Sequence, residues 1–592
     1  MSMLASLVSA YDRMAARGEV PPYGYSFEKI GFLISLNDDG SPACAPIDLR
    51  EQAGKRKDAP LMAVPRREIR TVQIAPNFLW DRTSYVLGIT AGKGKRLAEE
   101  HAAFVDRHAK ALGDADDPGL RALLRFLESW QPEDFERLAW PEDMKDQNVV
   151  FALESDRLQN MPIHDRPAAR ELWARLLSRG EKRQVVCLIS GAKAPFARLH
   201  PAIKGVWGAQ SAGASLVSFN LDAFASYGHE QGENAPVSEV AAFAYTAVLN
   251  RFLERDSGHR LQIGDTSVVF WADGSGADVA ESIFAAFFGG EIDAQDVVDE
   301  QSEANKVGAI LKAIREGRTL AEIAPHLATG VRFHVLGLAP NVRRLVIRFW
   351  FEDDFGVLAR NYQRFLADMR LEPRSEGEEN APLWRYLLET AALGKRENVP
   401  PNLAGNWLRS ILSGTPYPLT LMSTILMRLR ADRSVNALRV GTLKALLVRN
   451  FNMEKEAPVA LDPDNRNKGY LLGRLFAVYE QIQSAALGRS VNATVKDKFY
   501  GAASAQPRKV FAMLDSNSAH HLSKLGKQSP GYRVNLEKMV AQIMDLMSPD
   551  EDPFPAFLSA EEQALFALGY YHQRSEFFKS KANQESTDEE AA

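Results

Sequence analysis

Apolar residues recur at helical spacing from the start of the chain. Met3, Leu4, Leu7, Val8, Tyr11 and Met14 share one face and predict an amphipathic helix over residues 3 to 14. Pro21, Pro22 and Gly24 stop it, because proline lacks the backbone donor that a helix needs. Ile30, Phe32, Ile34 and Leu36 then alternate, the pattern of a half-buried strand. Behind them Asn37, Asp38, Asp39 and Gly40 supply the turn chemistry of a hairpin. Further strands are predicted at Gln184 to Ile189, Ser267 to Trp271, Arg332 to Leu336 and Leu345 to Phe351. Helical patterns lie between them, for example Val237 to Leu253.

The pattern changes near residue 371. Residues 372 to 382 are polar, acidic and bracketed by Pro373 and Pro382, which favours an exposed linker. Beyond it alternation almost disappears. Leu419, Met422, Ile425, Leu426 and Leu429 repeat on one helical face. So do Leu471, Leu475, Tyr479 and Ile482, with Leu472 and Phe476 widening the stripe. The expected fold class is α+β. Residues 1–371 form a mixed α/β part with room for two subdomains, and residues 383–578 form an all-α helical bundle. Residues 579–592, rich in Glu, Ser and Asn, are expected to be a disordered tail.

With 592 residues, 45% hydrophobic and 25% charged, the composition is that of a globular protein with material for more than one core. Two cysteines, Cys44 and Cys187, cannot build a disulfide framework or a four-thiolate zinc site. No basic leader precedes the first helix, and no run of about 18 apolar residues offers a membrane span. A soluble protein of the reducing cytoplasm is expected. The net charge of −5 argues at first against a nucleic-acid binder, but its distribution is uneven. Between Lys55 and Arg96 ten basic residues, among them Lys57, Arg66, Arg67 and Arg70, face three acids. Between Arg428 and Arg449 six basic residues face one acid, Asp432. Such stretches suit local docking on phosphates; solvated helix faces are the plainer alternative.

Enzyme signatures are mostly missing. Gly92 to Arg96 lacks the glycine spacing and the hydroxyl residue of a phosphate loop. Gly208 to Gly213 has one residue too many before Ser211 for a nucleophile elbow. Asp462 and Asp464 begin like a calcium loop, which Arg466 spoils, and adjacent His520 and His521 make a poor metal pair. Neither a cofactor nor a metal is expected.

Four stretches combine glycine, aromatic and polar residues densely: Gly18 to Ile30; Arg70 to Asp81 with Tyr85 to Gly88; His200 to Gly208 with Ser215 to Asn220 and Ser226 to Gly228; and Val335 to Asn341 leading to Phe349-Trp350. With Gly414 to Pro418, Gly473 to Ala477 and Gly569 to Gln573, they resemble the Csd-one family, also called Cas-eight-c, over nearly the whole chain and in the family's order. The chain departs from that pattern at Val72-Gln73, where small residues stand in the family. The family provides the large subunit of the type I-C CRISPR Cascade. The resemblance implies a non-catalytic subunit that engages the protospacer-adjacent motif of target double-stranded DNA, helps separate the strands and stabilise the R-loop, and recruits a helicase-nuclease. Sequence is then read by the guide RNA, in a complex with backbone and RNA-processing subunits. The helical part resembles the small subunit of related complexes, which this family also makes from an internal start; Met453 is one candidate.

Placed on residues, this reading makes Lys55 to Arg96 a basic patch with Phe78, Trp80 and Tyr85 interleaved. Gln73 and Asn77 are candidates for groove contact or for a wedge between base pairs. The competing reading makes Asn77 a cap and Trp80 core. Lys204 to Gly213 reads as a glycine loop whose backbone approaches DNA, with Lys204 on a phosphate and Gln210 and Ser211 on bases or sugars. A tight turn is the alternative. Arg428, Arg430, Arg433, Arg439, Lys444 and Arg449 are candidates to line a groove for displaced single strand. The rival functions are a metal-dependent nuclease or RNA-processing enzyme of the same defence system, and a scaffold that never touches DNA.

Overall fold

The computed structural model describes residues 2–53, 56–68, 70, 73–178, 183–289, 301–373, 381–488, 493–548 and 550–590, without the side chains of 53, 56, 178, 301–306 and 579–590. The chain divides into two compact units, Met1–Pro201 with Val217–Arg251, and Ala202–Leu216 with Phe252–Ala592. The expected linker at 372–382 falls inside the second unit, and 374–380 lie outside the described residues.

In the first unit the Ser2 hydroxyl accepts the Ala5 N–H at 3.3 Å and opens the helix Met3–Ala16, which buries Leu7, Tyr11 and Met14 as its spacing predicts. Eight strands follow: β1 (Tyr25–Lys29), β2 (Phe32–Leu36), β3 (Ile47–Asp48), β4 (Glu51–Ala53), β5 (Arg56–Asp58), β6 (Leu61–Pro65), β7 (Trp80–Arg82) and β8 (Asn148–Leu153). The main sheet has the order β3-β2-β8-β7. Its central strands β2 and β8 run parallel, and both edges are antiparallel. Apolar clusters pack on both faces of this sheet. All five residues of β2 are therefore buried, where alternation predicted a half-buried strand. Phe32, Ile34 and Leu36 join one apolar cluster; Leu33 joins another with Trp80 and Val150. The Asn37–Gly40 turn is present, with Gly40 at φ +88°, and it returns the chain antiparallel beside β2, first through a bridge between Leu36 and Pro42 and then as β3. A small hairpin, β9 (Gln184–Val186) with β10 (Lys193–Pro195), precedes the helix Glu239–Phe252.

The second unit holds an antiparallel sheet of β11 (Arg260–Ile263), β12 (Thr266–Asp273), β13 (Arg332–Asn341) and β14 (Arg344–Asp354), in that order. Val268, Phe270, Phe333, Val335 and Phe349 belong to a core that continues into the helical C-terminal region. Sheet and helices thus share one interior. Its central helix, Lys468–Leu487, is buried almost all round and is capped by Asn467, whose Oδ1 accepts the Gly469 N–H at 2.9 Å. Gly473 is packed so closely that a β-carbon there would stand 2.1 Å from the Phe566 carbonyl of the helix Ala560–Glu590. The expected tail, 579–592, falls where no side chain is described.

Candidate nucleic-acid interface

The basic loop of the first unit is built around Asp81 on β7, whose side chain is 1% exposed. Its carboxylate accepts the Asn77 N–H at 2.7 Å and the Arg82 N–H at 2.8 Å, and pairs with the Arg70 guanidinium. Burial raises the Asp81 carboxyl above its ordinary range, against the pull of Arg70. Arg70 also donates to the Ala75 carbonyl at 2.7 Å and lies 4.0 Å over the Tyr85 ring. Asn77 is buried, and its Oδ1 accepts the Glu68 N–H at 2.9 Å. Arg107, from the helix Leu97–Leu112, donates to Glu68 at 2.9 Å and to the Pro76 carbonyl. Leu79, strained at φ +63°, donates its N–H at 2.9 Å to Nε2 of His108.

Of the residues expected to read or grip DNA here, Arg70 and Asn77 are therefore framework: their polar atoms hold the loop. The interleaved aromatics Phe78, Trp80 and Tyr85 are buried, and the Trp80 indole N–H donates to the Pro65 carbonyl at 2.7 Å. They supply core rather than stacking platforms. Arg66, Arg67 and Gln73 are exposed on the loop's outer side. Lys57 is exposed on β5 with its ammonium 2.6 Å from Asp48, and Lys55 lies outside the described residues. A cleft of about 450 Å³ is lined by Arg67, Arg70, Arg82, Glu28 and Glu68 among others, so the charge in it is mixed.

In the second unit, residues 202–216 form a loop closed at its foot. The Ile203 N–H donates to the Ala214 carbonyl at 2.9 Å, and the Ala214 N–H returns to Ile203 at 2.8 Å. Ile203 and Val206 are buried beneath it. Gly205, Gly208 and Gly213 have φ of +83°, +75° and +93°, the left-handed region that glycine enters without strain. The glycines are thus required by the loop's own turns, which is the alternative the spacing left open. Their effect is to present Lys204, Trp207, Gln210 and Ser211 on the exposed side. Trp207 is anchored through its N–H, 2.9 Å from the Ser267 hydroxyl, while its side chain stays exposed.

The same loop is bonded to the turn between β13 and β14. The Ser215 N–H donates to the Arg343 carbonyl at 3.2 Å, and the Leu345 N–H donates to the Ser215 carbonyl at 3.0 Å. This brings Val342, Arg343 and Arg344 beside the loop's foot. The two arginines escape a reading by charge runs, since they stand as a pair between two strands. The available signal was a cationic dipeptide exactly where two predicted strands must turn.

The second basic stretch is divided: Arg439, Lys444 and Arg449 are buried, while Arg430 and Arg433 are exposed. Arg428 ion-pairs with Asp432 at 2.7 Å, and Arg430 donates to Gln563. Arg433 is exposed at the end of the helix Leu419–Asp432. Arg439 is buried between Glu389 at 2.7 Å and Asp432 at 2.6 Å. Lys444, also buried, donates to the Asp368 carbonyl at 3.0 Å. Arg449 pairs with Asp368 at 2.6 Å and lies 4.3 Å over the Tyr417 ring. The helix Ala437–Phe451 is buried on nearly every side, so its cations are matched by acids and carbonyls of neighbouring segments.

Among the described residues no group of three or more His, Cys, Asp or Glu side chains is placed to hold a metal ion, and no helix is long and apolar enough to cross a membrane. The Asp462–Asp464 stretch makes a local turn, with the Asp464 N–H 3.0 Å from the Asp462 carboxylate. No curated protein matches the chain. The family model described as CRISPR-associated protein (Cas_Csd1) matches residues 7–578, nearly the full length. By that match, carried through both compact units, the chain belongs to the Csd1 family of CRISPR-associated proteins.

Proposed function

We propose that this chain is the non-catalytic large subunit of an RNA-guided type I-C surveillance complex, and that its exposed basic loops engage target duplex DNA beside the protospacer-adjacent motif. The observation that carries the reading is the paired surface of the second unit, where Lys204, Trp207, Gln210 and Ser211 are exposed and Arg343 and Arg344 are bonded alongside. Cations bind phosphates, while the amide and hydroxyl suit groove edges. In the first unit Arg66, Arg67 and Gln73 add a second exposed polar surface beside the hydrogen-bonded group of Arg70, Asn77 and Asp81. Guide-RNA subunits, small-subunit copies and a helicase-nuclease are the partners this role requires, in the cytoplasm.

The test is duplex binding by the assembled complex across a salt series. Charge reversal of Lys204 together with Arg343 should weaken duplex binding and lower the salt slope by roughly 0.9 per lost phosphate contact. Unchanged affinity and slope would refute the assignment. Magnesium-dependent cleavage of DNA or RNA by the purified chain would replace it with an enzyme.

A further inference from the structure

We propose that the cleft between the helices Leu97–Leu112 and Pro167–Ser178 of the first unit is a docking pocket for an acidic peptide segment of a partner protein, taking one apolar side chain on its floor and the neighbouring carboxylates on its rim. The proposal does not rest on the duplex-binding reading, with which it shares only Arg66. The cleft has a volume of about 370 Å³, at the lower end for ligand pockets.

Its floor is apolar and already built. Trp173, Leu176 and Leu177 rise from one helix and Ala111 from the other. Trp173 is 3% exposed; its indole N–H donates to the Gly24 carbonyl at 2.7 Å, and its ring stacks on Phe78 at 5.3 Å. Leu177 is packed against Gly24, where a β-carbon would stand 2.3 Å from its Cδ1. Leu176 and Leu177 still keep part of their surface open to water. An apolar group laid on them gains by leaving water, and these anchored side chains need no rearrangement to receive it.

The rim is cationic. Arg66 is exposed, and its guanidinium makes no hydrogen bond or ion pair among the described residues. Lys110, 74% exposed, pairs with Asp106 one turn back at 2.6 Å, a surface contact that a bound carboxylate replaces at little cost. Glu68, the acid of the rim, is answered by Arg107 at 2.9 Å. Arg66 and Lys110 thus overlook an apolar floor. That combination selects the ligand. Duplex phosphates satisfy cations but bring no apolar group to the floor, since the bases are paired inside. A neutral apolar peptide leaves the cations unused. A segment with an apolar residue between carboxylates meets both.

The experiment uses the full chain and a short peptide in which p-benzoylphenylalanine, a photo-crosslinking aromatic residue, is flanked by aspartates. On irradiation it should attach to Leu176 or Leu177, located by mass spectrometry of the digest. Ala111→Phe, which fills the cleft without touching its charge, should lower the yield by roughly tenfold at an unchanged melting temperature. Arg66→Glu with Lys110→Glu should lower it as far, and so should replacing the flanking aspartates by lysines. Attachment elsewhere, or full yield from a stably folded Ala111→Phe, overturns the proposal. Should Ala111→Phe melt early, the two exposed charge reversals decide, and full yield from them overturns it. Suppression of attachment by an unlabelled thymidine oligonucleotide but not by unlabelled acidic peptide would assign the cleft to single-stranded nucleic acid and overturn it as well.

Discussion

Replacing His108 by glutamine probes how the basic loop of the first unit is held. Nε2 of His108 accepts the Leu79 N–H at 2.9 Å, and Nδ1 donates to the Phe104 carbonyl at 2.8 Å. Only the neutral ring, protonated at Nδ1, serves both bonds. Burial pushes its pKa from the ordinary 6.5 down to about 4. Between those values the unfolded chain binds more protons than the folded one, so stability falls as pH drops from 6.5 and the loss is complete below about 4. At about 1.36 kcal/mol per pH unit, the displacement corresponds to about 3 kcal/mol. His164, buried and lowered to about 4 as well, adds a loss of the same sign. Glutamine keeps an acceptor for the Leu79 N–H but has no proton to gain. In urea titrations repeated from neutral to acid pH, His108→Gln should lose about 3 kcal/mol less than the parent. Tryptophan emission is a suitable probe, because Phe78 stacks on both His108 and Trp173. Parallel pH profiles for the two proteins would refute the argument.

Two further substitutions test the second unit. Gly473→Ala drives a β-carbon to 2.1 Å from the Phe566 carbonyl and 2.8 Å from the Tyr570 nitrogen, and both are backbone atoms of a buried helix. A loss of about 3 kcal/mol, the upper range for overpacking, should appear in denaturant unfolding, and an unchanged midpoint would show the two helices free to separate. Arg449→Met strands the Asp368 carboxylate, leaving it the Tyr417 hydroxyl at 3.0 Å. That should cost about 3–5 kcal/mol, and adding Asp368→Leu should recover part of it; a double variant as unstable as the single would argue against a buried ion pair.

Much of the fold was legible from periodicity. The helices near residues 3, 237, 419 and 471 and the strands β12, β13 and β14 of the second sheet appear where predicted, because one-sided burial writes its period into the chain, while the short β11 was not foreseen. The error at β2 has a clear cause. Its apolar alternation conceals a central place beside the parallel strand β8, more than a hundred residues away, in a sheet with an apolar cluster packed on each face. The linker at 372–382 looks like a boundary by composition, yet helices beyond it pack into the same core as the sheet before it.

The candidate site divides along the same line. The sequence by itself determined that the chain folds as mixed α/β followed by helices, that it carries clustered cations and three glycines in one loop, and that it bears the Csd1 pattern. Only the tertiary structure decided which cations remain available to a ligand. Arg70 is matched by Asp81, Arg449 by Asp368 and Arg439 by Glu389, while Arg343 is left at a hairpin tip. A charge is written locally, but its neutralisation depends on which distant acid the packed chain brings within a few ångströms, and that proximity exists only after folding.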